Sequence, residues 1–296
     1  MSQGESSVFL VDVFAENPFT GNPAFVCLLP CNLNLSEEQM KKISAEIGCT
    51  AAFLSRINQH DTFTSASKFK LRWFTSTTEI KLCGHATLGT GAVLANYYDN
   101  KSDGITFVTS GGELVVKKEG SKLALEVPIG ISEPIGKDKY SKLISAFGDI
   151  PTIKEVEYCK SLNYMLIDLQ QTWSRKEFES WGPDIPTIQA AGSDGQLKIV
   201  MITMKADHDS HYQDVDGNKY DYVCRVFGPW LGAPEDPVTG SGHAVLASYW
   251  STKLGKTQLY ARQCSPRGGN VNILVKGDKV ELKGSVTKVL QGVMNL

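Results

Sequence analysis

The sequence has no run of basic residues, no Cys-x-x-Cys pair and no apolar stretch of membrane-spanning length. Each absence removes a class of function. Thirty Lys and Arg stand against 32 Asp and Glu, a net charge of −2, so no positive field is available to draw nucleic acid. A spanning helix needs about 18–20 consecutive apolar residues, and a secretory leader needs a basic start followed by an apolar segment; neither is found. The cysteines Cys27, Cys31, Cys49, Cys83, Cys159, Cys224 and Cys264 are odd in number and scattered, as free thiols of a reducing compartment would be. The expectation is a cytoplasmic protein acting on a small molecule, with no nucleic-acid or membrane partner. Two nucleotide patterns are missing as well. Gly89-x-Gly91 and Gly240-x-Gly242 leave the dinucleotide fingerprint incomplete, and no Walker-A spacing occurs.

What is present is concentrated in one stretch, Glu235-Asp236-Pro237-Val238-Thr239-Gly240-Ser241-Gly242-His243, running into the apolar segment Ala244 to Trp250. It places a Pro-restrained carboxylate, a flexible turn and an imidazole before a helix whose start favours negative charge. A similar piece occurs earlier as Lys81-Leu82-Cys83-Gly84-His85-Ala86-Thr87-Leu88. Laying Ser241-Gly242-His243-Ala244 on Cys83-Gly84-His85-Ala86 gives an offset of 158 residues, 83 to 241. Two flanking matches keep nearly that offset and the same order: Ser110-Gly111-Gly112 on Arg267-Gly268-Gly269, and Arg72-x-Phe74 on Arg225-x-Phe227. Three ordered matches predict a duplicated domain with a ligand site between the halves.

The pattern along the chain predicts strands at 8–14, 24–29, 50–56, 68–74, 105–109, 113–118 and 122–127, and again at 153–158, 164–169, 197–204, 222–227, 257–263, 270–275 and 279–283. Helices are predicted from Ser36, an N-cap completed by Gln39, to Ile47, then over 86–98, 138–147, 175–181 and 244–254. Each half thus has strands enclosing one principal helix, which argues against a doubly wound sheet. Residues 1–130 form the first half and 131–291 the second, with the C-terminal strand partly closing the first. The loop with His208 and His211 has acidic neighbours but no spacing that fixes a four-ligand shell, and reads as a solvated loop.

On local grounds Asp236 is either a catalytic carboxylate or a turn cap. His85 and His243 are both imidazoles at helix starts; His243 is equally suited to a packing role. Cys83 has the chemistry of a thiol base, but its repeat partner is Ser241, whose hydroxyl is a very poor base at neutral pH. Ser241 and the N–H groups at Gly84, Gly242 and nearby suit a carboxylate or enolate oxygen instead.

Phe14 with Asn17-Pro18-Phe19-Thr20-Gly21-Asn22-Pro23, Arg72-Trp73-Phe74-Thr75, Cys83 to Thr87, Glu235 to His243 and Arg267-Gly268-Gly269 resemble the signatures of the phenazine-biosynthesis-like (PhzF-like) family, in order from about residue 8 to 291. Phe227-Gly228-Pro229-Trp230 and Ser248-Tyr249-Trp250 resemble its eukaryotic branch, the phenazine biosynthesis-like domain proteins. The resemblance implies a mixed α/β (α+β) diaminopimelate-epimerase-like fold of two pseudo-symmetric halves, each a curled, mostly antiparallel sheet around a central helix. It also implies a homodimer, a site without cofactor or metal, and an isomerase moving a proton on a small acid. The family's histidine then maps to His85, its aspartate to Asp236 and its serine to Ser241, with Gly84, Cys83, Gly240, Gly242, His243 and Asn22 around the substrate.

One position departs from the pattern. Counting back from Phe53, the family's catalytic glutamate falls on Thr50, and a hydroxyl cannot replace a carboxylate as a base near pH 7. Glu46 stands one helical turn earlier and would substitute only if the helix continued past Gly48. The expectation is an isomerase of altered or impaired chemistry on a small cyclic, amino or hydroxy acid. A catalytically silent metabolite-binding or protein-interaction member and a two-base racemase or epimerase are the alternatives.

Overall fold

A computed structural model describes residues 4–31, 33–192, 195–206 and 211–296; His208 lies outside the described residues. The chain forms two compact units, residues 1–127 with 281–296, and residues 128–280.

The first unit contains β1 (Glu5–Val13), β2 (Asn22–Leu28), α1 (Glu37–Ile47), β3 (Thr50–Arg56), β4 (Lys68–Phe74), β5 (Glu79–Ile80), α2 (Gly84–Ala92), β6 (Gly104–Thr109), β7 (Gly112–Glu119) and β8 (Lys122–Pro128). In the second unit follow β9 (Glu133–Pro134), α3 (Ser141–Ser145), β10 (Ile153–Cys159), β11 (Tyr164–Leu169), α4 (Arg175–Ser180), α5 (Ile185–Ala191), β12 (Ile199–Lys205), β13 (Tyr222–Phe227), α6 (Gly240–Leu254), β14 (Gln258–Gln263) and β15 (Gly269–Lys276). The chain ends with β16 (Lys279–Gly284) and β17 (Val286–Asn295). No helix among the described residues is long and apolar enough to cross a membrane.

In the first unit β17 pairs antiparallel with β1, and β1 with β2; β2–β3 is parallel, β3–β4 antiparallel, β4–β6 parallel, and β6–β7–β8 an antiparallel meander. A parallel pair needs a crossover connection, and here α1 supplies the first and α2 the second. The second unit repeats the sequence of pairings. β9–β10–β11 is antiparallel, β11–β12 parallel, β12–β13 antiparallel, β13–β14 parallel through α6, and β14–β15 antiparallel. The fold is thus mixed α/β with mostly antiparallel pairing and one principal helix per unit.

The curl of the first sheet is legible from α2, which packs on β1, β2 and β3 and also on β7. Strands that far apart in pairing order meet one helix only if the sheet wraps it. The helix surface is pared down to allow this. A Cβ on Gly89 would stand 2.9 Å from Val11 Cγ2, and one on Gly91 would stand 2.6 Å from Val116 Cγ1. A separate cluster, packed on α1 through Met40, Ile43 and Ile47, includes Val8, Phe25, Phe53 and Phe74. In the second unit Phe147, Phe178, Trp181 and Phe227 form the aromatic centre of the core.

Local signals account for most elements. Ser36 Oγ accepts from the Gln39 N–H, Gln39 Oε1 accepts from the Ser36 N–H, and Gly48 ends α1 at φ 77°. Three differences from the sequence expectation stand out. The helix expected over 86–98 is α-helical only to Ala92 and then widens into a π-helical turn, Val93–Tyr97, which sets both Tyr97 and Tyr98 against Phe9. Helix α5 was not anticipated, although Asp184 caps it and Pro186 follows. Strand β17 lies beyond 279–283, the last strand that the sequence pattern marks, because its half-exposed pattern lacks a clean alternation.

Candidate functional site

In the first unit the candidate groups gather at the start of α2. Gly21 turns the chain at φ 64° with no room for a side chain against Val13, which delivers the buried Asn22 and Pro23 to the head of β2. The Pro23 backbone hydrogen-bonds His85, whose ring is desolvated by the protein around it; burial lowers its pKa to about 4, and the Pro23 bond opposes that shift. His85 is therefore a neutral imidazole at pH 7, able to accept a proton. Cys83, the buried N-cap residue of α2, holds its Sγ 3.6 Å from His85 Nδ1. The Cys83 carbonyl accepts the Thr87 hydroxyl at 2.6 Å. Gly84 follows at the first helical position, where backbone N–H groups have no partner within the helix.

Thr50 opens β3 opposite Ala24, the residue after Pro23, whose backbone bonds His85. Helix α1 stops at Ile47, the left-handed Gly48 turns the chain away, and Glu46 is exposed on the helix surface. The continuous turn that would have stacked Glu46 on Thr50 does not form.

In the second unit the loop before α6 is fixed by several bonds. Thr239 Oγ1 donates to Asp236 Oδ2 at 2.6 Å, and the Asp236 N–H donates to the Val226 carbonyl at 3.0 Å. Gln263, fully buried, donates to the Asp236 carbonyl at 2.6 Å and accepts the Thr239 N–H at 2.8 Å. Ser265 donates to the Pro237 carbonyl at 2.8 Å and accepts the Gly268 N–H at 3.1 Å, which joins the Arg267-Gly268-Gly269 turn to the same loop. Glu235 takes a two-pronged pair from Arg225, 2.8 Å at Nε and 2.7 Å at Nη2. The carboxylate of Asp236 is thereby aimed rather than free to rotate. Gly240 and Gly242 are buried in the first turn of α6; a Cβ on Gly242 would sit 3.2 Å from Thr239.

Ser241 lies 3.0 Å, oxygen to oxygen, from the Tyr164 hydroxyl. Burial raises the Tyr164 pKa, the Ser241 bond opposes this, and the charge of Asp236 adds to the rise; the phenol stays protonated and available as a donor. Sequence reasoning missed Tyr164, Gln263 and Ser265. Only the polar atoms of Tyr164 and Asp168 in the buried strand Tyr164–Leu169 could have marked the tyrosine.

His243 belongs to the helix packing. It is fully buried, Tyr222 Oη lies 2.8 Å from its Nδ1, and burial drives its pKa down to about 3. The expectation that it faces a ligand is corrected by this enclosure. The repeat-related histidines have separated in role: His85 keeps partial access, His243 none. The duplication itself is clearest in Arg72, which binds Glu79 through Nε and Nη2, both at 2.8 Å, and covers Phe74, as Arg225 does with Glu235 and Phe227. No group of three His, Cys, Asp or Glu side chains with metal-holding geometry occurs among the described residues.

Comparison with known proteins matches residues 11–292 to the family described as phenazine biosynthesis-like protein (PhzC-PhzF). A phenazine biosynthesis-like domain-containing protein of Bos taurus is 38% identical over 97% of this chain and 98% of its own. An uncharacterized isomerase of Pseudomonas aeruginosa is 34% identical over 99% of this chain and 100% of its own. Among solved structures, a PhzF-family protein of Enterococcus faecalis superposes with a TM-score of 0.81 at 32% identity, covering 99% of this chain and 100% of that one. A hydroxyproline epimerase of Agrobacterium vitis, 12% identical with a TM-score of 0.52 over 100% of this chain and 94% of its own, shares the fold alone.

Proposed function

The chain belongs to the phenazine biosynthesis-like family, and from that premise we propose that it is a cofactor-independent isomerase that moves a proton on a small cyclic, amino or hydroxy acid. The observation that carries the reading is the carboxylate of Asp236, bonded by Thr239 on a backbone whose carbonyl Gln263 holds, beside the Ser241–Tyr164 hydroxyl pair at the start of α6. In this reading Ser241, with the first N–H groups of α6, binds the substrate's acid group and stabilises the enolate formed when its carbon acid ionises. Asp236 takes the proton as general base and returns it to another carbon, so no proton is gained or lost overall. His85, neutral at pH 7, accepts or relays a proton at its ring nitrogen. Gly84, Cys83 and Asn22 shape the substrate surface near it.

The name isomerase carried by the Pseudomonas relative supports this class of reaction. The resemblance to the family leads us to propose a homodimer of the cytoplasm. A second reading draws on Thr50: with a hydroxyl where the family's glutamate stands, the protein binds a carboxylic acid without turning it over. A two-base racemase is not favoured, since the repeat partner of Cys83 is Ser241, whose hydroxyl stands against that of Tyr164.

Proton exchange into deuterated water, followed by NMR over a panel of small amino and hydroxy acids, separates these readings. Exchange by the native protein that is lost in Asp236→Asn supports the isomerase. Binding shifts with no exchange of any compound move the assignment to the silent binder.

A further inference from the structure

Away from the helix starts, β10, β11 and α6 bring a second set of ionisable groups together. Tyr249 Oη lies 2.9 Å from Asp168 Oδ2 and 3.0 Å from Glu155 Oε2. A phenol has one proton to donate, so two carboxylates compete for it, and a proton on one of the carboxyls resolves the competition. Glu155 is paired with Lys253 at 2.7 Å and is half exposed, and that bond lowers its pKa, which leaves Asp168. A separate observation agrees. Asp168 is 4% exposed, and its Oδ1 is buried with no hydrogen-bond partner among the described residues; the carbonyl oxygen of a neutral acid tolerates this far better than a carboxylate oxygen. Burial is also the main cause that raises the Asp168 pKa to about 6.

The placement of this group gives it a consequence. Tyr164 and Asp168 both lie on β11, four residues apart, about 13 Å along a strand. Ser241 and Tyr249 both lie on α6, eight residues apart, about 12 Å along a helix. The same strand and helix are therefore tied twice over matching lengths, by Tyr164 with Ser241 and by Asp168 with Tyr249. We propose that Asp168 is a positioning residue that donates to Tyr249 as the neutral acid and accepts from it as the carboxylate, and that this tie fixes α6 along β11 and so sets Ser241 against Tyr164, its geometry changing with the proton. The charged groups facing it are Lys154 and Glu155 from β10 and Lys253 from α6; from β12 its cross-strand neighbour is the uncharged Thr203. Loss of the proton places a charge beside Glu155 and turns the Tyr249 hydroxyl toward Asp168, which loosens its bond to Glu155. The bearing on catalysis rests on the isomerase reading; the proton and the tie do not.

The test is an infrared titration of the full chain in the carbonyl region of protonated carboxyls, with a parallel NMR titration of ring-labelled tyrosine. The expected result is a protonated-carboxyl band that disappears as pH rises through about 6 and is absent from Asp168→Asn. In Tyr249→Phe the band persists to higher pH, because the hydroxyl that eases ionisation is gone. The Tyr164 signal, assigned by its loss in Tyr164→Phe, moves over the same pH range in the native protein and stays still in Asp168→Asn. A band that titrates near the ordinary 3.8, or survives in Asp168→Asn, overturns the proposal, as does a Tyr164 signal indifferent to the transition. Should Asp168→Asn fail to fold, an unshifted midpoint in Tyr249→Phe overturns it equally. Asp236→Asn, silent in proton exchange under the isomerase reading, keeps the band, so failure of one reading is distinguishable from failure of the other.

Discussion

The hydroxyls of Tyr164 and Ser241 stand 3.0 Å apart, and the phenol also feels the charge of Asp236. A serine alone offers one rotatable donor; backed by a buried tyrosine, it is held in orientation. Replacing Tyr164 with Phe keeps the ring's packing and removes only the oxygen. Binding of a small carboxylate should weaken about tenfold, the worth of one hydrogen bond, with the melting temperature little changed. NMR shift titration alongside thermal denaturation checks both halves of that statement, and an unchanged affinity removes Tyr164 from the site.

Thr50 is the position where chemistry can be added. Its strand start lies beside the residues that hold His85, and it is only partly buried, so a carboxylate there keeps some hydration. Thr50→Glu should fold and should raise proton exchange on a cyclic acid by about a hundredfold or more, the usual contribution of a placed general base. Exchange no faster than in the native protein would mean that the substituted glutamate does not reach the substrate.

The two Arg–Glu pairs are matched in their two-pronged atoms and differ in burial and in further partners, Arg72 also bonding Glu37 at 2.9 Å. Arg225 is 3% exposed and also donates to the Phe178 and Trp181 carbonyls, whereas Arg72 is 24% exposed. Arg225→Ala leaves the Glu235 carboxylate, 14% exposed, without its partner and those two carbonyls without a donor, and should cost about 3 kcal/mol. Arg72→Ala should cost about 1 kcal/mol. Urea denaturation of the two variants measures the contrast directly; equal losses would show that burial is not what separates them.

Acid stability follows from two imidazoles. His85 and His243 stay neutral in the folded chain down to about 4 and about 3, against 6.5 when unfolded. Below 6.5 the unfolded chain therefore binds more protons, and stability falls on acidification by up to about 1.4 kcal/mol per pH unit for each histidine. Asp168 has the opposite sign, since its folded pKa is raised: its contribution is present at low pH and is lost as pH rises from 3.8 through about 6. Denaturation between about pH 6.5 and 5 should show His85→Gln flattening the slope by close to one proton and Asp168→Asn steepening it. A slope unaffected by His85→Gln would place that imidazole in water.

Packing around α2 gives a purely steric forecast. Alanine is the better helix former by about 1 kcal/mol, yet at Gly91 its methyl would meet Val116 at 2.6 Å. Gly91→Ala should destabilise by about 1–3 kcal/mol, while Gly136→Ala, with nothing within 4 Å, should be near neutral.

These forecasts show where the sequence was readable. Helix α1 wrote its own limits in Ser36, Gln39 and Gly48, all short-range signals. The repeat of Cys83-Gly84-His85 in Ser241-Gly242-His243 led to both principal helices. It left His243 open between a ligand-facing and a packing role, which the repeat by itself does not decide. Burial is a property of what packs around a residue, and the enclosure of His243 by Tyr222 and Cys224 comes from a strand some twenty residues away. Tyr164 escaped notice for the same reason. Its neighbours are apolar, and its polar partner is 77 residues distant in the chain. The ionisable set at Glu155, Asp168 and Tyr249 spans three elements, and no local pattern marks it.

The pairing of β17 with β1 has a temporal consequence. Domains fold as units during synthesis, the N-terminal part first, but here the first unit waits for residues 281–296. The second unit, continuous in sequence, has all its strands through β15 while β1 still lacks a neighbour on one side. Strand β1 is thus made a whole unit ahead of the partner that covers its edge, and an open edge is a template for unwanted pairing. A ribosome-held chain stopped before residue 281 would carry a closed second unit behind an unfinished first. The end of this chain is, in order of folding, part of its beginning.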